Sequence, residues 1–380
     1  MMTRSKIPQP VKLSIVIPCF NEKNTLEQCV NKVIGIQDQH LLLEIIIVDD
    51  CSSDDSLTIA RELARRFSQI TVLAHDANRG KGAALQTGFQ HASGQIVAVQ
   101  DADLEYDPAD LKRMLAPILN DEADVVFGTR FSTSSAHRVL YFWHSVGNKF
   151  LTLLSNMFSD LNLTDMECCY KVFRREIIQK INICESRFGV EPELVAKVAQ
   201  LRVRIFEMGV SYSGRTYEEG KKIGYKDGLW ALYCIFHYNA PTAPIPIQFL
   251  IYLVIGGISA AVNLSLFLFL QSWGVDINLS IPSAFVMSAL LNYLLCIALL
   301  FRHKAKWNSA VELFVYILVV CLVGLLDFGA TKLLLSMGTS AWLAKSVGSL
   351  IGLAFNFSGR RYFVFPEAAA GPWRSQLPLK

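Results

Sequence analysis

Charged residues are scarce in this sequence. Asp, Glu, Lys and Arg make up 18% of its 380 residues, hydrophobic residues make up 52%, and the mean hydropathy is +0.33. This composition excludes an ordinary soluble enzyme. Most of the charge lies before Asn239, and from Ile245 onward the chain is mostly apolar. We therefore expect a soluble part followed by a membrane part.

Cysteine motifs that bind metals are missing as well. The nine cysteines are odd in number, and none lies in a Cys-x-x-Cys or Cys/His ligand spacing. This pattern argues against a zinc site and favours a reduced, cytoplasmic location. Residues 1–10 are polar, so we expect no signal peptide. The net charge of +3 is compatible with contact to anionic phosphates or lipid headgroups, and no motif indicates a nucleic-acid partner.

The membrane part contains long apolar stretches with almost no polar stripe. Helices of a soluble domain would show such a stripe, and each stretch is near the roughly 20 residues that a spanning helix needs. The four stretches are Ile245 to Leu270, Ile281 to Phe301, Leu313 to Leu335 and Ala341 to Phe357. Basic residues follow the second stretch (Arg302, His303, Lys304, Lys306) and the fourth (Arg360, Arg361). The positive-inside rule therefore predicts that the N-terminal domain, this loop and the C-terminus face the cytoplasm.

A short aromatic segment precedes the membrane part. Residues 229–238 are apolar but too few to span a bilayer, and they include Trp230, Tyr233 and Tyr238. Such residues favour the membrane interface. A helix packed on the soluble domain is the alternative. The prolines between Asn239 and Pro246 predict a helix end and a stiff linker.

The soluble part alternates between predicted strands and helices. Strands are expected at residues 13–18, 43–48, 70–73 and 95–99, which implies a mostly parallel α/β sheet. Polar residues follow the strands at Asn21 and Glu22, at Asp49 and Asp50, and at Asp101 and Asp103. The carboxyl edge of such a sheet is where nucleotides bind. Structural alternatives remain: Asn21, Glu22 and Asp54 could cap helices, and Gly80-Lys81-Gly82 could be only a tight turn.

Asp101-Ala102-Asp103 places two carboxylates one residue apart directly after a buried strand. Hard oxygen ligands on a short turn suit Mg²⁺ or Mn²⁺, which usually also contact a substrate's phosphates. Solvated surface acids are the alternative.

Together these segments resemble family 2 glycosyltransferases with the GT-A fold, of the polyprenyl-phosphate or dolichol-phosphate mannose synthase type. The resemblance rests on segments 17–22, 48–54, 78–83, 101–105, 128–130, 165–171, 188–192 and 215–222. The membrane part resembles GtrA-like four-helix domains, whose typical ending is similar to residues 355–365. The domains implied are a GT-A catalytic domain (1–228), an interfacial helix and linker (229–244), a GtrA-like transmembrane domain (245–366) and a cytoplasmic tail (367–380).

The resemblance also implies roles for individual residues. The nucleotide-sugar pocket would be formed by Pro18, Asn21, Glu22, Asp49, Asp50, Lys81 and Asp101. Asp103 would be the direct metal ligand, supported by Asp101 and by Glu105, which replaces a glutamine common in relatives. Asp101, Asp103 and Asp165 are the expected catalytic residues, with Asp165 positioning donor or acceptor and general base as its weaker role.

Basic residues are expected to hold the phosphate of a polyprenyl acceptor through charge-assisted bonds. They are Arg130, Arg138, Arg215, Lys221 and Lys222, and a basic face attracted to anionic lipid is the alternative. Glu167 and Glu191 are further contacts to sugar hydroxyls, whereas Cys168 and Cys169 are interpreted as inert and buried. Apolar residues between Val139 and Phe158 form either core or the wall of a prenyl groove.

We therefore predict an inverting, metal-dependent transfer from a nucleotide-diphosphate sugar to a polyprenyl phosphate in the inner membrane. A processive polysaccharide synthase is one alternative, although its Gln-x-x-Arg-Trp motif is missing. A lipid-linked sugar translocator loaded by the enzyme domain, and an enzyme with a soluble acceptor, are the others. Intramembrane Asp327 keeps translocation open, and we predict its ion pair with Lys345. A homo-oligomer is compatible with the sequence.

Overall fold

The structure, a computed structural model, describes residues 10–131, 139, 141–214, 225–301, 309–365 and 373. The chain separates into two units. The first comprises Met1–Asn239 and Gly371–Lys380, and the second comprises Ala240–Ala370.

The first unit contains one seven-stranded sheet. Its strands are β1 (Val11–Cys19), β2 (Leu41–Asp49), β3 (Ile70–Ala74), β4 (Ile96–Val99), β5 (Val125–Thr129), β6 (Lys171–Arg174) and β7 (Ile205–Gly209). Their spatial order is β3-β2-β1-β4-β6-β5-β7. All neighbouring pairs are parallel except those of β6, which is antiparallel to β4 and β5. The mostly parallel sheet predicted from the sequence is confirmed.

Helices connect the strands and cover the sheet. They are α1 (Leu26–Ile34), α2 (Ser56–Arg66), α3 (Lys81–His91), α4 (Pro108–Met114), α5 (Ala116–Leu119), α6 (Phe142–Ser159), α7 (Arg175–Ile178), α8 (Val190–Gln200) and α9 (Tyr225–Asn239). The four strands expected in the sequence are present and extend by up to two residues at some ends. The apolar runs of β1, β2 and β4 are buried almost completely, as expected for parallel strands covered on both faces.

The second unit is helical. It contains a 3₁₀ turn (Ala240–Thr242), α10 (Ile245–Ser272), α11 (Ile277–Leu295), α12 (Ser309–Ser336) and α13 (Ala341–Gly359), and π-helical turns follow at Cys296–Phe301 and Arg360–Val364. Among the described residues, Ile245–Ser272 and Ser283–Phe301 are long and apolar enough to cross a membrane, and Phe314–Leu326 is a shorter apolar segment. The four predicted helices are thus present.

A buried polar cluster joins the helices of the second unit. The Arg360 Nη2 donates to Tyr316 Oη at 3.2 Å, its Nη1 donates to Asn292 Oδ1, and its guanidinium lies over the Tyr252 ring at 5.4 Å. Arg360 directly follows the fourth helix, as the sequence analysis expects, and begins a π-helical turn in which it is only 4% exposed. Its neutral partners come from three other helices and could not be recognised locally. The side chains of the predicted Asp327–Lys345 pair lie outside the described residues.

Candidate active site

Asp50, the residue directly after β2, fixes the turn that precedes α3. Its carboxylate accepts hydrogen bonds from the backbone N–H groups of Arg79 (2.9 Å) and Gly80 (2.6 Å). The Nδ1 atom of His75 lies 2.7 Å from Asp50 Oδ1. Asp50 is therefore committed to protein contacts, and it shapes the pocket predicted from the sequence by holding this turn.

Asp49, the last residue of β2, keeps one oxygen available. Its Oδ2 accepts a hydrogen bond from the Ser52 backbone at 3.0 Å. Its Oδ1 is buried and has no hydrogen-bond partner among the described residues. Buried carboxylate oxygens are nearly always bonded, so this atom is an unused hydrogen-bond acceptor at the end of β2.

The segment after β1 is tied to the segment after β2. The Asn21 Oδ1 accepts a hydrogen bond from the Ser53 backbone (2.8 Å), and the Glu22 backbone N–H donates to Ser56 Oγ (2.9 Å). Asn21 adopts a positive φ of 55°. Helix α1 begins after Thr25, so Asn21 joins two strand ends and does not cap this helix. Pro18 lies within β1, in register with Val48 of β2.

Gly80 and Gly82 let the start of α3 lie against a neighbouring loop. A Cβ atom on Gly82 would lie 1.8 Å from the Glu185 carbonyl oxygen, and one on Gly80 would lie 2.1 Å from that of Ser186. Gly80 also has a φ of +88°, which favours glycine. Gly80 is therefore the turn residue directly before α3, Lys81 and Gly82 begin the helix, and the close approach directs Lys81 toward Asp101 and Glu191.

Lys81 joins the end of β4 to α8. Its Nζ lies 3.0 Å from Asp101 Oδ1 and 3.2 Å from Glu191 Oε1. Burial opposes the charge, but Asp101 and Glu191 outweigh that effect and raise the pKa of Lys81 well above its usual value. Lys81 is therefore a cation at any physiological pH, next to Asp101, which the resemblance assigns to the nucleotide-sugar pocket beside the ribose or diphosphate.

The turn after Asp101 presents two more carboxylates. The Asp103 Oδ1 accepts a hydrogen bond from the Glu105 backbone at 3.1 Å, and Glu105 Oε2 accepts one from Tyr212 Oη at 3.0 Å. Leu104, between them, has a φ of 65°. Because Leu104 has this left-handed backbone conformation, the chain reverses direction there, and Asp103 and Glu105 lie on the same turn.

These acids fit a divalent cation that a substrate helps to hold. In the described part of the chain, no three acidic, His or Cys side chains converge as a complete metal site. Mg²⁺ is commonly bound by one or two carboxylates together with substrate phosphates and water. Asp101, Asp103 and Glu105 supply suitable oxygen donors for such a shared site, which differs from a preformed cage.

Arg130 and Asp165 form a buried ion pair. The Nε of Arg130 lies 2.7 Å from Asp165 Oδ2, its Nη2 lies 2.8 Å from Oδ1, and Asn148 Nδ2 donates to Oδ1 at 2.8 Å. Burial alone would raise the pKa of Asp165, but Arg130 outweighs it and lowers that pKa. An ionised, fully bonded carboxylate is poorly placed to accept a proton, which favours the positioning role of Asp165 over general base.

Lys171 is a site residue that the sequence analysis missed. Its Nζ lies 2.5 Å from Glu191 Oε2, and both side chains are buried. Glu191 therefore binds Lys171 and Lys81 together. The sequence does contain a signal for this residue. Lys171 begins the apolar strand β6, and a lysine buried there needs an acidic partner.

The segment before β6 also contains Glu167, Cys168 and Cys169. The Oε1 of Glu167 is buried and has no hydrogen-bond partner among the described residues. Both cysteines are buried, and burial raises the pKa of Cys168 to about 12. The predicted burial of both thiols is confirmed, and Cys169 Sγ accepts a hydrogen bond from Lys81 Nζ at 3.4 Å.

Four of the predicted acceptor-phosphate residues lie outside the described residues, namely Arg138, Arg215, Lys221 and Lys222. Of the acceptor residues named from the sequence, the structure therefore describes Arg130.

Family models match both parts of the chain. Residues 14–181 match the model of glycosyl transferase family 2, and residues 251–365 match the model of the GtrA/DPMS transmembrane domain. The predicted relationship, fold class and enzyme class are thereby confirmed.

Curated relatives resemble the first part of the chain. A dodecaprenyl-phosphate galacturonate synthase of Rhizobium johnstonii is 28% identical over 215 residues, covering 56% of this chain and 62% of that protein. A dolichyl-phosphate beta-glucosyltransferase of Trichomonas vaginalis is 28% identical, covering 54% of this chain and 67% of that protein. An undecaprenyl-phosphate 4-deoxy-4-formamido-L-arabinose transferase of Proteus mirabilis is 28% identical, covering 55% and 62%. The chain thus spans about three fifths to two thirds of these relatives' lengths.

Among solved structures, a glucosyl-3-phosphoglycerate synthase from Mycobacterium tuberculosis is similar with a TM-score of 0.48 and 19% identity. The similarity covers 62% of this chain and 80% of that one.

Proposed function

Because residues 14–181 form a glycosyl transferase family 2 domain and residues 251–365 a GtrA/DPMS transmembrane domain, we propose that this protein transfers a sugar from a nucleotide-diphosphate sugar to a polyprenyl phosphate. One observation carries the proposal: acidic and amide side chains meet at the carboxyl edge of β1, β2 and β4, in a chain that continues into apolar helices. The first feature suits a nucleotide diphosphate, and the second suits a lipid acceptor.

The donor binds along the strand ends. Asp49, whose buried Oδ1 has no hydrogen-bond partner among the described residues, lines the nucleoside pocket together with Asn21, Glu22 and Pro18. Lys81 faces the diphosphate from beside Asp101. Asp103, supported by Asp101 and Glu105, would hold Mg²⁺ or Mn²⁺. When bound there, the cation supplies charge neutralisation for the leaving diphosphate.

The transfer needs positioning more than proton removal. An oxygen of the acceptor phosphate attacks the anomeric carbon, the bond from that carbon to the diphosphate oxygen breaks, and the nucleoside diphosphate leaves. Attack from the opposite face inverts the anomeric configuration. Because a phosphate monoester is already anionic near neutral pH, no general base is required, and Asp165 orients Arg130.

The acceptor reaches the first unit from a lipid surface. Helix α6 contains no acidic residue and exposes a row of apolar side chains that includes Phe142, Trp143 and Phe150. Helix α9 packs against α6, exposes Trp230 and Tyr233, and ends at Asn239, six residues before α10 begins. These aromatic faces suit the bilayer interface. We place this face, and the basic residues assigned to the acceptor phosphate, on the cytoplasmic side of the inner membrane.

A donor screen tests the proposal. The full chain in nanodiscs is incubated with undecaprenyl phosphate, Mg²⁺ or Mn²⁺, and radiolabelled UDP- and GDP-sugars in turn, and the products are extracted into organic solvent. We expect one donor to give a single labelled lipid that mild acid cleaves to the free sugar, with release of nucleoside diphosphate. Label confined to a water-soluble product would indicate a soluble acceptor, and a polymer would indicate a processive synthase. Either result would overturn the proposal.

A further inference from the structure

Glu185 connects helix α9 to the loop that borders the start of α3. Its Oε2 accepts a hydrogen bond from Trp230 Nε1 at 2.7 Å, and its Oε1 accepts one from Tyr238 Oη at 2.9 Å. Both donors belong to α9, which ends at Asn239, directly before the second unit begins at Ala240. One carboxylate therefore holds two turns of the helix that precedes the second unit in the chain.

The hydrogen bonds to Glu185 come from the side of α9 that packs on the first unit. Trp230, Cys234 and Tyr238 recur every four residues, which places them along one side of an α-helix. Cys234 is fully buried, and Gln200 Nε2 of α8 donates to the Tyr238 carbonyl oxygen at 2.8 Å. The contact with Glu185 is therefore part of the interface that seats α9 on the domain.

The loop that contains Glu185 has a second anchor on α8. The Glu185 N–H donates to Glu193 Oε2 at 2.8 Å, and the Cys184 N–H donates to Glu193 Oε1 at 2.7 Å. Glu193 is fully buried, whereas Ser186 and Arg187 further along the loop are exposed. The loop is thus anchored to α8 through its backbone and to α9 through the Glu185 side chain.

The same loop contacts the start of α3 through its backbone. The Gly82 N–H donates to the Ser186 carbonyl oxygen at 2.8 Å. A Cβ atom on Gly82 would lie 1.8 Å from the Glu185 carbonyl oxygen, so backbone lies directly against backbone here. Lys81 is the next residue along α3, and its Nζ lies 3.0 Å from Asp101 Oδ1. Because no flexible side chain separates the loop from α3, a shift of the loop also shifts Lys81.

We propose that Glu185 is a positioning residue, through which helix α9 holds the 185–186 loop against α3 and so keeps Lys81 in place for the diphosphate of the donor. The inference rests on the proposed function, because it takes Lys81 as a contact of the donor. None of the residues assigned to the nucleotide-sugar pocket lies in α9. Donor binding nevertheless depends on how α9 is seated, and loosening the helix weakens it.

Variants of α9 that each lose one hydrogen-bond donor test this coupling in the full chain. Trp230→Phe and Tyr238→Phe keep an aromatic ring, and each loses one bond to Glu185. Tyr233→Phe is the matched control, because it removes a hydroxyl from the same helix, and this hydroxyl lies 3.1 Å from His237 Nδ1. Calorimetry measures the affinity of the wild type and of each variant for UDP and for GDP.

We expect Trp230→Phe and Tyr238→Phe each to weaken binding of the accepted nucleotide by about threefold to tenfold. A hydrogen bond to a carboxylate is worth roughly 10- to 100-fold in an equilibrium constant, and part of this is transmitted to the donor site. Tyr233→Phe should stay within about twofold of the wild type. The donor KM should rise in parallel while the acceptor KM stays unchanged, a separation that a general loss of packing would not produce.

A double-mutant cycle locates the coupling at Glu185. Glu185→Ala removes both bonds at once, so adding Tyr238→Phe to it should weaken nucleotide binding no further. A further loss as large as in the wild-type background would overturn the role of Glu185. Lowered thermal stability of Trp230→Phe and Tyr238→Phe with unchanged nucleotide affinity would show a structural contact only, and would overturn the inference even if Glu185→Ala does not fold.

These outcomes differ from failure of the proposed function. If the wild type binds a nucleotide but transfers no sugar to polyprenyl phosphate, the proposed function fails, and the comparison of nucleotide affinities still tests Glu185. If the wild type transfers sugar and the α9 variants bind the nucleotide as tightly as the wild type, the inference about Glu185 fails alone.

Discussion

Charged side chains at the site are already paired with one another. Lys81 binds Asp101, Arg130 binds Asp165, and Lys171 binds Glu191. Removing one member of a buried pair leaves its partner charged and poorly solvated, which costs more than the pair itself contributes. Substitutions at these residues therefore report on stability as well as on catalysis, and each test needs a measurement of folding.

Arg130→Ala should destabilise the protein as well as weaken acceptor use. The change leaves the buried Asp165 carboxylate without its cationic partner, and we expect it to lower the free energy of unfolding by about 3–5 kcal/mol. Denaturant unfolding in detergent would measure it, and Arg130→Ala with Asp165→Asn should cost less than the two single changes together. Arg66→Ala is the control, because its pair with Glu27 is exposed and is worth at most about 1 kcal/mol. Wild-type stability with only a raised acceptor KM would mean that Arg130 serves the lipid phosphate alone.

Asp103→Asn should abolish most turnover and leave the fold intact. The side chain lies on a turn and is the proposed metal ligand, so we expect a loss of at least about 100-fold in kcat. Electron paramagnetic resonance of Mn²⁺ with added UDP or GDP measures the site directly, and we expect weaker ion binding in the variant. Full activity of Asp103→Asn, or of the wild type in excess chelator, would rule out the metal assignment.

At the scale of elements, glycine and strand order bring distant residues to one edge of the sheet. Helix α3 approaches the 185–186 loop closely because positions 80 and 82 lack side chains, and this approach points Lys81 at β4. The antiparallel strand β6 lies between β4 and β5, so the segment before it reaches the same edge. The geometry of the site thus depends on how closely α3 packs against the 185–186 loop, as well as on the charged residues themselves.

Gly82→Ala should lower stability and donor binding together. Its Cβ would lie 1.8 Å from the Glu185 carbonyl oxygen, so backbone must move and shift Lys81. Forced repacking of this kind costs about 1–3 kcal/mol. Gly228→Ala in α9 is the matched control, because its Cβ meets nothing within 4 Å. Thermal unfolding and calorimetric binding of UDP or GDP would measure both effects, and equal behaviour of the two variants would contradict the prediction.

Trp143 should report contact between α6 and the bilayer. It is 78% exposed on the apolar face, which is unfavourable in water and suits the headgroup region. Tryptophan fluorescence in nanodiscs made with brominated lipids would be quenched, and Trp143→Phe should remove part of that quenching. Quenching of Trp143 by aqueous iodide, with none by brominated lipid, would place this face in water.

At the scale of the whole molecule, the residues assigned to chemistry belong to the first unit. Its sheet and core are complete before the second unit begins at Ala240. The second unit contributes apolar helices and the buried cluster around Arg360. We assign anchoring and orientation to it. The Asp327–Lys345 pair between α12 and α13 stays a prediction that neutralising both residues together would test.

A chain ending at Asn239 should still bind nucleotide. Asn21, Asp49, Lys81 and Asp101 all lie in the first unit, so we expect the affinity for UDP or GDP to remain within about threefold of the full chain. Transfer to a detergent-solubilised acceptor should be retained in part. A truncated protein that is well folded by circular dichroism and binds no nucleotide would contradict this division of roles.

The sequence by itself determined which elements form and which strand ends are acidic. Strands and helices differ in the period of their apolar residues, and parallel strands align their carboxyl ends, so Asp49 and Asp101 were expected at one edge. The apolar stretches predicted helices because they are long and lack a polar stripe. These properties are local and can be read along the chain.

Only the tertiary structure decided which charges pair. Arg130 and Asp165 are 35 residues apart, and Lys81 and Glu191 are 110 residues apart, so nothing local indicates that they meet. The burial of Arg360 likewise depends on partners from three other helices. Pairing follows from strand order and helix packing, which bring remote residues within a few ångströms. These contacts decide whether a charged side chain is available to bind a substrate or is already paired with another side chain of the protein.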